Sequence, residues 1–348
     1  DENVLLNPDN LKAILNINAD SLTASYKLRV VPRNTLVASE NWRQYLLDQK
    51  FETFFALNIL VNIEHHFVKV KRGNAENDGG AKLIFPSFDT VSNQYFGNGS
   101  KPNGARIDIP QSLNTFIGYG IQKNTVRRNY ILQVNDLQID LAFHFPAKAD
   151  NTSNNYIPSA LVGNNDLNNF YTACSIDFGN VKWKRIINNS VNHTYCPKII
   201  IPRADREKHC VYYNPLTHNF TLSTNFFYCD DLQNKNAHST DEQQYKFITA
   251  FLLSSFGQIQ FELIGNNQEG LRKLEGFHIK RFKIPDLTQF TPLEIASVVA
   301  EFDTISVLNP EFSGDEGLAT PRRNLDLAIG RIIFQRNNLG FANAELVV

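Results

Sequence analysis

A chain of 348 residues, 42% hydrophobic and 20% charged, is ordinary for a soluble globular protein with one large or two medium domains. Its formal net charge of −1 excludes a uniformly basic coat, so any nucleic-acid surface has to be local. No run of about 18 apolar residues occurs and no charged-then-apolar signal peptide opens the chain, which argues against a membrane span.

In chain order, the opening sixty residues read as helical, because residues 42–60 are apolar at mixed spacing and contain neither Pro nor Gly. From Asn62 the texture changes to short β runs at 66–70 and 81–85, joined as a hairpin across the turn-rich residues 71–80. Residues 107–109 and 137–143 alternate apolar and polar with period two, as half-buried strands do. The Asn/Ser-rich residues 150–155, with 163–169, mark a boundary. They divide the chain into 1–150, helical then β-rich, and 151–348, with a hairpin, a long helix and a helical tail.

Past that boundary, residues 198–202 and 210–213 form a second hairpin across the charged turn 203–208, and residues 220–228 a further strand dense in aromatic and β-branched side chains. A single helix is expected from about Asp241 to Ile264, capped by Thr240 or Asp241. Thr291 as N-cap with Pro292 at the first helical position starts another. Arg322 opens the last, with Gly340 near its end. The fold class is α+β, mixed, with a β-rich central part and helices at both ends.

Four cysteines, at 174, 196, 210 and 229, contain no Cys-x-x-Cys pair. Their even number, with sequons at Asn98, Asn151, Asn188, Asn192 and Asn219, is compatible with a secreted chain. Richness in Asn explains the sequons more simply, and reduced, buried thiols are the expectation. Methionine is absent and residue 1 is Asp, which points to an internal piece or to methionines lost at several points. Motif order therefore weighs more than strict intervals.

Three basic clusters carry the chemistry: Lys69, Lys71 and Arg72 beside a glycine; Lys198, Arg203, Arg206 and Lys208 around the hairpin tip; and Arg272, Lys273, Lys280, Arg281 and Lys283, opposed only by Glu275. Lysine and arginine at a DNA backbone displace condensed counterions, which supplies most of the sequence-independent affinity. Arg, Lys, Asn and Gln on loops at strand ends can also reach base edges. A solvated face is the bland alternative for any one cluster. Other groups are weaker. His193, Cys196, His209, Cys210 and Cys229 lack knuckle-type spacing for zinc. Asp230 with Asp231, and Glu301 with Asp303, read as solvated acids. His65 and His66 would face opposite ways on a strand. Ser254 and Ser255 have no His or Asp partner visible in sequence, so they read as helix packing.

Residues Leu253-Ser254-Ser255, Gly265, Gly270, Lys273-Leu274-Glu275 and Lys280-Arg281-Phe282-Lys283-Ile284-Pro285 follow the order of a familiar pattern. They resemble the closing part of the TaqI-like target-recognition region of N6-adenine DNA methyltransferases, with Leu253 where that family often has Asn and one glycine fewer in the loop. Pro197-Lys198-Ile199-Ile200-Ile201-Pro202-Arg203, Phe67-Val68-Lys69-Val70-Lys71-Arg72-Gly73 and Arg323-x-Leu325-Asp326 are similar to further segments of that region, in its order.

The resemblance implies a module that binds double-stranded DNA, with Lys69, Lys71, Arg72, Lys198, Arg203, Arg206, Lys208, Arg272, Lys273, Lys280 and Arg281 as contacts. It also implies a cytoplasmic restriction–modification system. No Asp/Asn-Pro-Pro-Tyr/Phe motif follows any Asn-Pro pair, and Gly97-Asn98-Gly99 and Gly118-Tyr119-Gly120 read as turns rather than a cofactor loop. S-adenosylmethionine and the chemistry on a flipped adenine would then belong to a partner catalytic domain or subunit. Two alternatives stay open: a restriction endonuclease or fused cleavage–methylation enzyme, and a secreted binder with two disulfides.

Overall fold

The computed structural model describes residues 21–22, 27–28, 54–73, 85–98, 106–122, 129–138, 141–143, 194–205, 209–268, 271–309 and 316–336. The chain divides into two units, Asp1–Leu60 and Val61–Leu346. In the first, strand Ser21–Leu22 pairs antiparallel with Lys27–Leu28, so part of the stretch expected to be helical is extended. A helical turn is described at residues 54–55, and most of the expected helix at 42–60 lies outside the described residues.

The second unit is built on six strands that matter here: β1 Phe67–Arg72, β2 Ile199–Pro202, β3 Ala204–Asp205, β4 Tyr212–Tyr213, β5 Phe226–Leu232 and β6 Leu271–Lys273. Five helices accompany them: α1 Asp241–Leu253, α2 Ser255–Ile264, α3 Gly276–Lys280, α4 Pro292–Ser306 and α5 Glu316–Arg336. The main sheet has the order β4-β2-β5-β1, antiparallel throughout.

The β2–β4 hairpin is the one expected from sequence. The β1 partner is not. β1 pairs with β5, from Phe67 opposite Leu232 to Arg72 opposite Phe227, and the hairpin expected with residues 81–85 falls almost wholly outside the described residues. The cause of the β1–β5 pairing is burial: Phe226, Phe227, Tyr228 and Cys229 are all buried, and a strand covered on both faces needs a hydrogen-bonded neighbour along each edge. Residues 74–84 lie outside the described residues.

Two other expectations need correction. The aromatic run at 220–228 is two strands, because Ser223 folds the chain between them. Ser223 Oγ donates to the Gln122 carbonyl at 2.6 Å and accepts the Asn225 N–H at 3.2 Å. Strand Phe220–Leu222 therefore joins a different sheet, beside Thr194–Tyr195 and Gly120–Ile121. The alternating run at 137–143 begins within a helical turn, Val134–Gln138, and among its described residues Ala142–Phe143 is strand. Asp136 overrides the period-two pattern by accepting the Gln133 N–H at 2.7 Å, a short-range bond that favours a turn.

The helix starts were legible. Thr240 caps α1 in a capping box with Gln243, and Thr291 caps α4 in one with Glu294, with Pro292 in the first turn. The long helix was not continuous: α1 and α2 meet at 60°. Ser254 leaves the helical conformation and its side chain caps α2. Ser255 does have an acid partner, Asp326 of α5, which accepts its N–H at 2.8 Å and its hydroxyl at 2.6 Å. Burial pushes the Asp326 carboxyl above the usual range, against those two bonds. Helix α5 starts earlier than expected and carries Pro321 inside it, and Gly340 lies outside the described residues. Among the described residues, no single helix is long and apolar enough to cross a membrane.

His66 joins β1 to the chain ahead of α4. Its Nε2 accepts the Leu287 N–H at 3.0 Å, so the ring hydrogen sits on Nδ1, 3.2 Å from the Gln233 carbonyl. That arrangement requires the neutral ring, and burial lowers its pKa from the ordinary 6.5. The unfolded chain takes up a proton that the folded joint refuses, so this contribution is complete above about pH 6.5 and is lost as pH falls through the folded value. Urea midpoints taken from about pH 7.5 down to about pH 5 are expected to fall less steeply for His66→Asn than for the wild type. Parallel slopes would remove this account.

Candidate nucleic-acid interface

One end of the main sheet gathers charge from three distant segments. β1 ends at Arg72, β2 runs out into Arg203, and β6 ends at Lys273, two residues before Glu275. Arg203 Nη2 donates to Glu275 Oε1 at 2.5 Å. Arg72 Nη1 lies 3.9 Å from Oε2 and Lys273 Nζ 3.9 Å from Oε1. Burial alone would raise the Glu275 carboxyl. The Arg203 hydrogen bond, with the charges of Arg203, Arg72 and Lys273, outweighs burial and holds it below the usual range. Three cations around one carboxylate leave the hub positive.

Backbone bonds hold the hub together. Arg203 N–H donates to the Asn225 carbonyl and Leu274 N–H to the Arg203 carbonyl, each at 2.8 Å. β3 pairs with β6, placing Ala204 opposite Lys273 and Asp205 opposite Arg272. The guanidinium groups are also anchored: Arg203 Nε donates to the Leu274 carbonyl at 3.3 Å and Arg72 Nε to the Thr224 carbonyl at 2.8 Å. The Ser223–Asn225 turn reaches Arg72 because Gly73 lets it: a Cβ there would lie 2.1 Å from the Ser223 carbonyl oxygen. Only glycine fits.

Beyond Glu275, α3 packs on β1. The Glu275 N–H donates to His278 Nδ1 at 3.0 Å, which needs a neutral imidazole; burial lowers the His278 pKa accordingly. Phe277 is 57% exposed on α3, and its ring centre is 5.9 Å from the Arg281 guanidinium. Lys280, also exposed, pairs with Glu64 at 2.7 Å.

Of the contacts expected from sequence, Arg72, Arg203 and Lys273 meet at Glu275. Lys71 is exposed on β1 beside Arg72, and Lys280 and Arg281 end α3. Arg272 takes part through its β6 backbone. Arg206 and Lys208 lie outside the described residues. Lys69 and Lys198 are not brought to the hub. Lys69 stands opposite Asp230, whereas Arg72 stands opposite Phe227, so the two are separated along β1 by about 10 Å at a strand's rise per residue. Lys69 pairs with Asp231 at 2.7 Å and Lys198 donates to the Leu216 carbonyl at 3.1 Å. The acids Asp230 and Asp231 thus balance that end. Sequence reasoning missed the half-exposed Thr224, the exposed Asn225 and Phe277, and took Glu275 as a motif residue and an opposing charge rather than as a hub. The turn residues between two aromatic runs were the available signal.

Among the described residues, only His65, His66 and Asp286 place three ligand-type atoms close enough for a metal. His66 already uses both ring nitrogens, so the set has no chelating histidine there. Cys196 and Cys229 are free thiols; Cys196 donates to the Leu216 carbonyl at 2.8 Å, and burial pushes the Cys229 thiol far up, leaving neither suited to a zinc knuckle. Gly97, Gly118 and Gly120 lie within short strands rather than in the turns expected from sequence.

A family model described as the specificity domain of restriction endonuclease BpuSI matches residues 71–310. Among solved structures, that of the type IIG restriction endonuclease BpuSI is similar, with a TM-score of 0.54 and 18% sequence identity over 88% of this chain and 33% of that one. The chain thus spans about a third of the length of that structure. No curated protein matches it.

Proposed function

The chain belongs to the BpuSI-type family of restriction endonuclease specificity domains, and from that premise we propose that the Glu275-centred face is where it reads double-stranded DNA. The observation that carries the assignment is the convergence of Arg72, Arg203 and Lys273, from three segments distant in the chain, on a single carboxylate. Asn225, whose carbonyl accepts the Arg203 N–H, lies beside them, and the exposed Lys71 and Lys280, with Arg281, stand further along β1 and α3; all are groups that grip phosphates or hydrogen-bond base edges. The rest of the parent enzyme supplies the chemistry: a catalytic part that holds S-adenosylmethionine and methylates an adenine flipped from the stack, joined to DNA cleavage, in the cytoplasm.

The test is selection. Wild-type chain incubated with a random-sequence duplex pool is expected to enrich a short common site, and a pool that stays random would overturn the assignment. Lys280, exposed and paired only loosely with Glu64 in water, serves as a backbone contact in this reading. Lys280→Ala is expected to weaken the selected and a scrambled duplex equally and to reduce the log–log salt slope by about 0.9. An unchanged slope would remove Lys280 from the interface.

A further inference from the structure

We propose that Glu275 is a positioning residue for base reading: it turns Arg203 end-on toward a guanine and restrains the hub's attraction for phosphate. This rests on the DNA-reading assignment above. The geometry of the guanidinium carries it. A guanidinium presents two pairs of parallel N–H groups, a side edge made by Nε and Nη2 and an end edge made by Nη1 and Nη2. In Arg203 the side edge is engaged, with Nε on the Leu274 carbonyl and Nη2 on Glu275 Oε1. The end edge is the pair that matches two adjacent acceptors, and the base edge offering two acceptors side by side is guanine, through N7 and O6. Since the Arg203 side chain is only 18% exposed, a guanidinium fixed there has one direction in which to meet a ligand.

The same carboxylate has a second effect, of opposite sign, on unselective binding. It lies within 3.9 Å of Arg72 and Lys273 as well as bonding Arg203. A DNA phosphate approaching the hub meets this negative charge already in place, which lowers the gain from neutralising the phosphate. Glu275 therefore exchanges raw affinity for discrimination. A purely structural acid would support both kinds of binding alike, and a purely repulsive one would oppose both.

Glu275→Gln separates these cases, because glutamine keeps the shape and one acceptor but not the charge. In the full chain, dissociation constants and salt slopes are measured on the wild-type-selected duplex and on a scrambled duplex of equal composition, with melting temperatures alongside. Binding to the selected duplex is expected to weaken about tenfold and binding to the scrambled one to strengthen several-fold, with a steeper salt slope. Equal losses on both duplexes, or equal gains, would overturn the proposal while leaving the interface standing; a wild type that selects no site would overturn the interface itself. Should the glutamine variant not fold, Arg203→Lys decides. It keeps the charge but not the fork, and is expected to lose about tenfold on the selected duplex and nothing on the scrambled one. Equal behaviour on the two duplexes would overturn the end-on role.

Discussion

Replacing Arg203 with alanine is expected to weaken binding to the selected duplex by about 5- to 150-fold, the equivalent of about 1–3 kcal/mol for one bidentate base contact. The loss at the selected site should exceed that on scrambled DNA, because a fork that reads a base contributes more there than a point charge near phosphate. Removal also leaves Glu275 without its shortest partner, next to an incoming polyanion. The fold should hold, since the links from Arg203 to Asn225 and Leu274 are made by backbone atoms that alanine keeps. Fluorescence anisotropy on both duplexes, beside a melting curve, reads all three expectations. Replacing single guanines of the selected site by 7-deazaguanine then locates the contact: the substitution that costs the wild type affinity and leaves Arg203→Ala unaffected marks the base. Selected-duplex affinity within twofold of wild type would remove Arg203 from recognition.

The parts of this molecule that short-range chemistry decides were readable in the chain. Thr240 with Gln243 and Thr291 with Glu294 are capping boxes whose bonds span three residues, and both helices start where these predict. The β2–β4 hairpin was legible for the same reason. The family resemblance, carried by segments from Phe67 to Asp326, was borne out by the match over residues 71–310. What could not be read were pairings between residues far apart. Nothing local tells Arg72 that Phe227 lies opposite, or Ser255 that Asp326 accepts its hydrogens from 71 residues away. The site followed the same rule. Basic clusters were visible as composition, yet their sorting was set by strand register, which sends Arg72 to one end of β1 and Lys69 toward Asp230 and Asp231. Glu275 was visible as a charge and as part of the Lys273-Leu274-Glu275 motif but not as a hub, because that role depends on which cations the fold delivers to it.

Gly257→Ala is expected to be strongly destabilising, for a reason that lies in the break between α1 and α2. The two helices meet at 60°, and the bend brings the first turn of α2 against the end of α1. A Cβ on Gly257 would lie 2.1 Å from the Leu252 carbonyl oxygen and 2.5 Å from its carbon. Both are backbone atoms, so no rotamer change relieves the overlap. Relief requires opening the bend, and three things resist it: Ser254 capping α2, Asp326 holding Ser255, and Phe251 stacked on Phe256 across the break at 6.4 Å. Alanine is otherwise the better helix former by about 1 kcal/mol, which sets the opposing term. Overlap with fixed backbone in a buried position should exceed it, for a net cost of roughly 3 kcal/mol, the upper end of overpacking. That corresponds to a drop in melting temperature of about 6–12 °C for a unit of this size. Because α2 leads through Gly265 into the chain that forms β6, DNA binding should weaken along with stability, and a duplex titrated at a temperature below the melting range should restore it in part. A melting temperature equal to or above wild type would mean that the bend opens freely and that the Ser254, Asp326 and Phe256 contacts do not fix it.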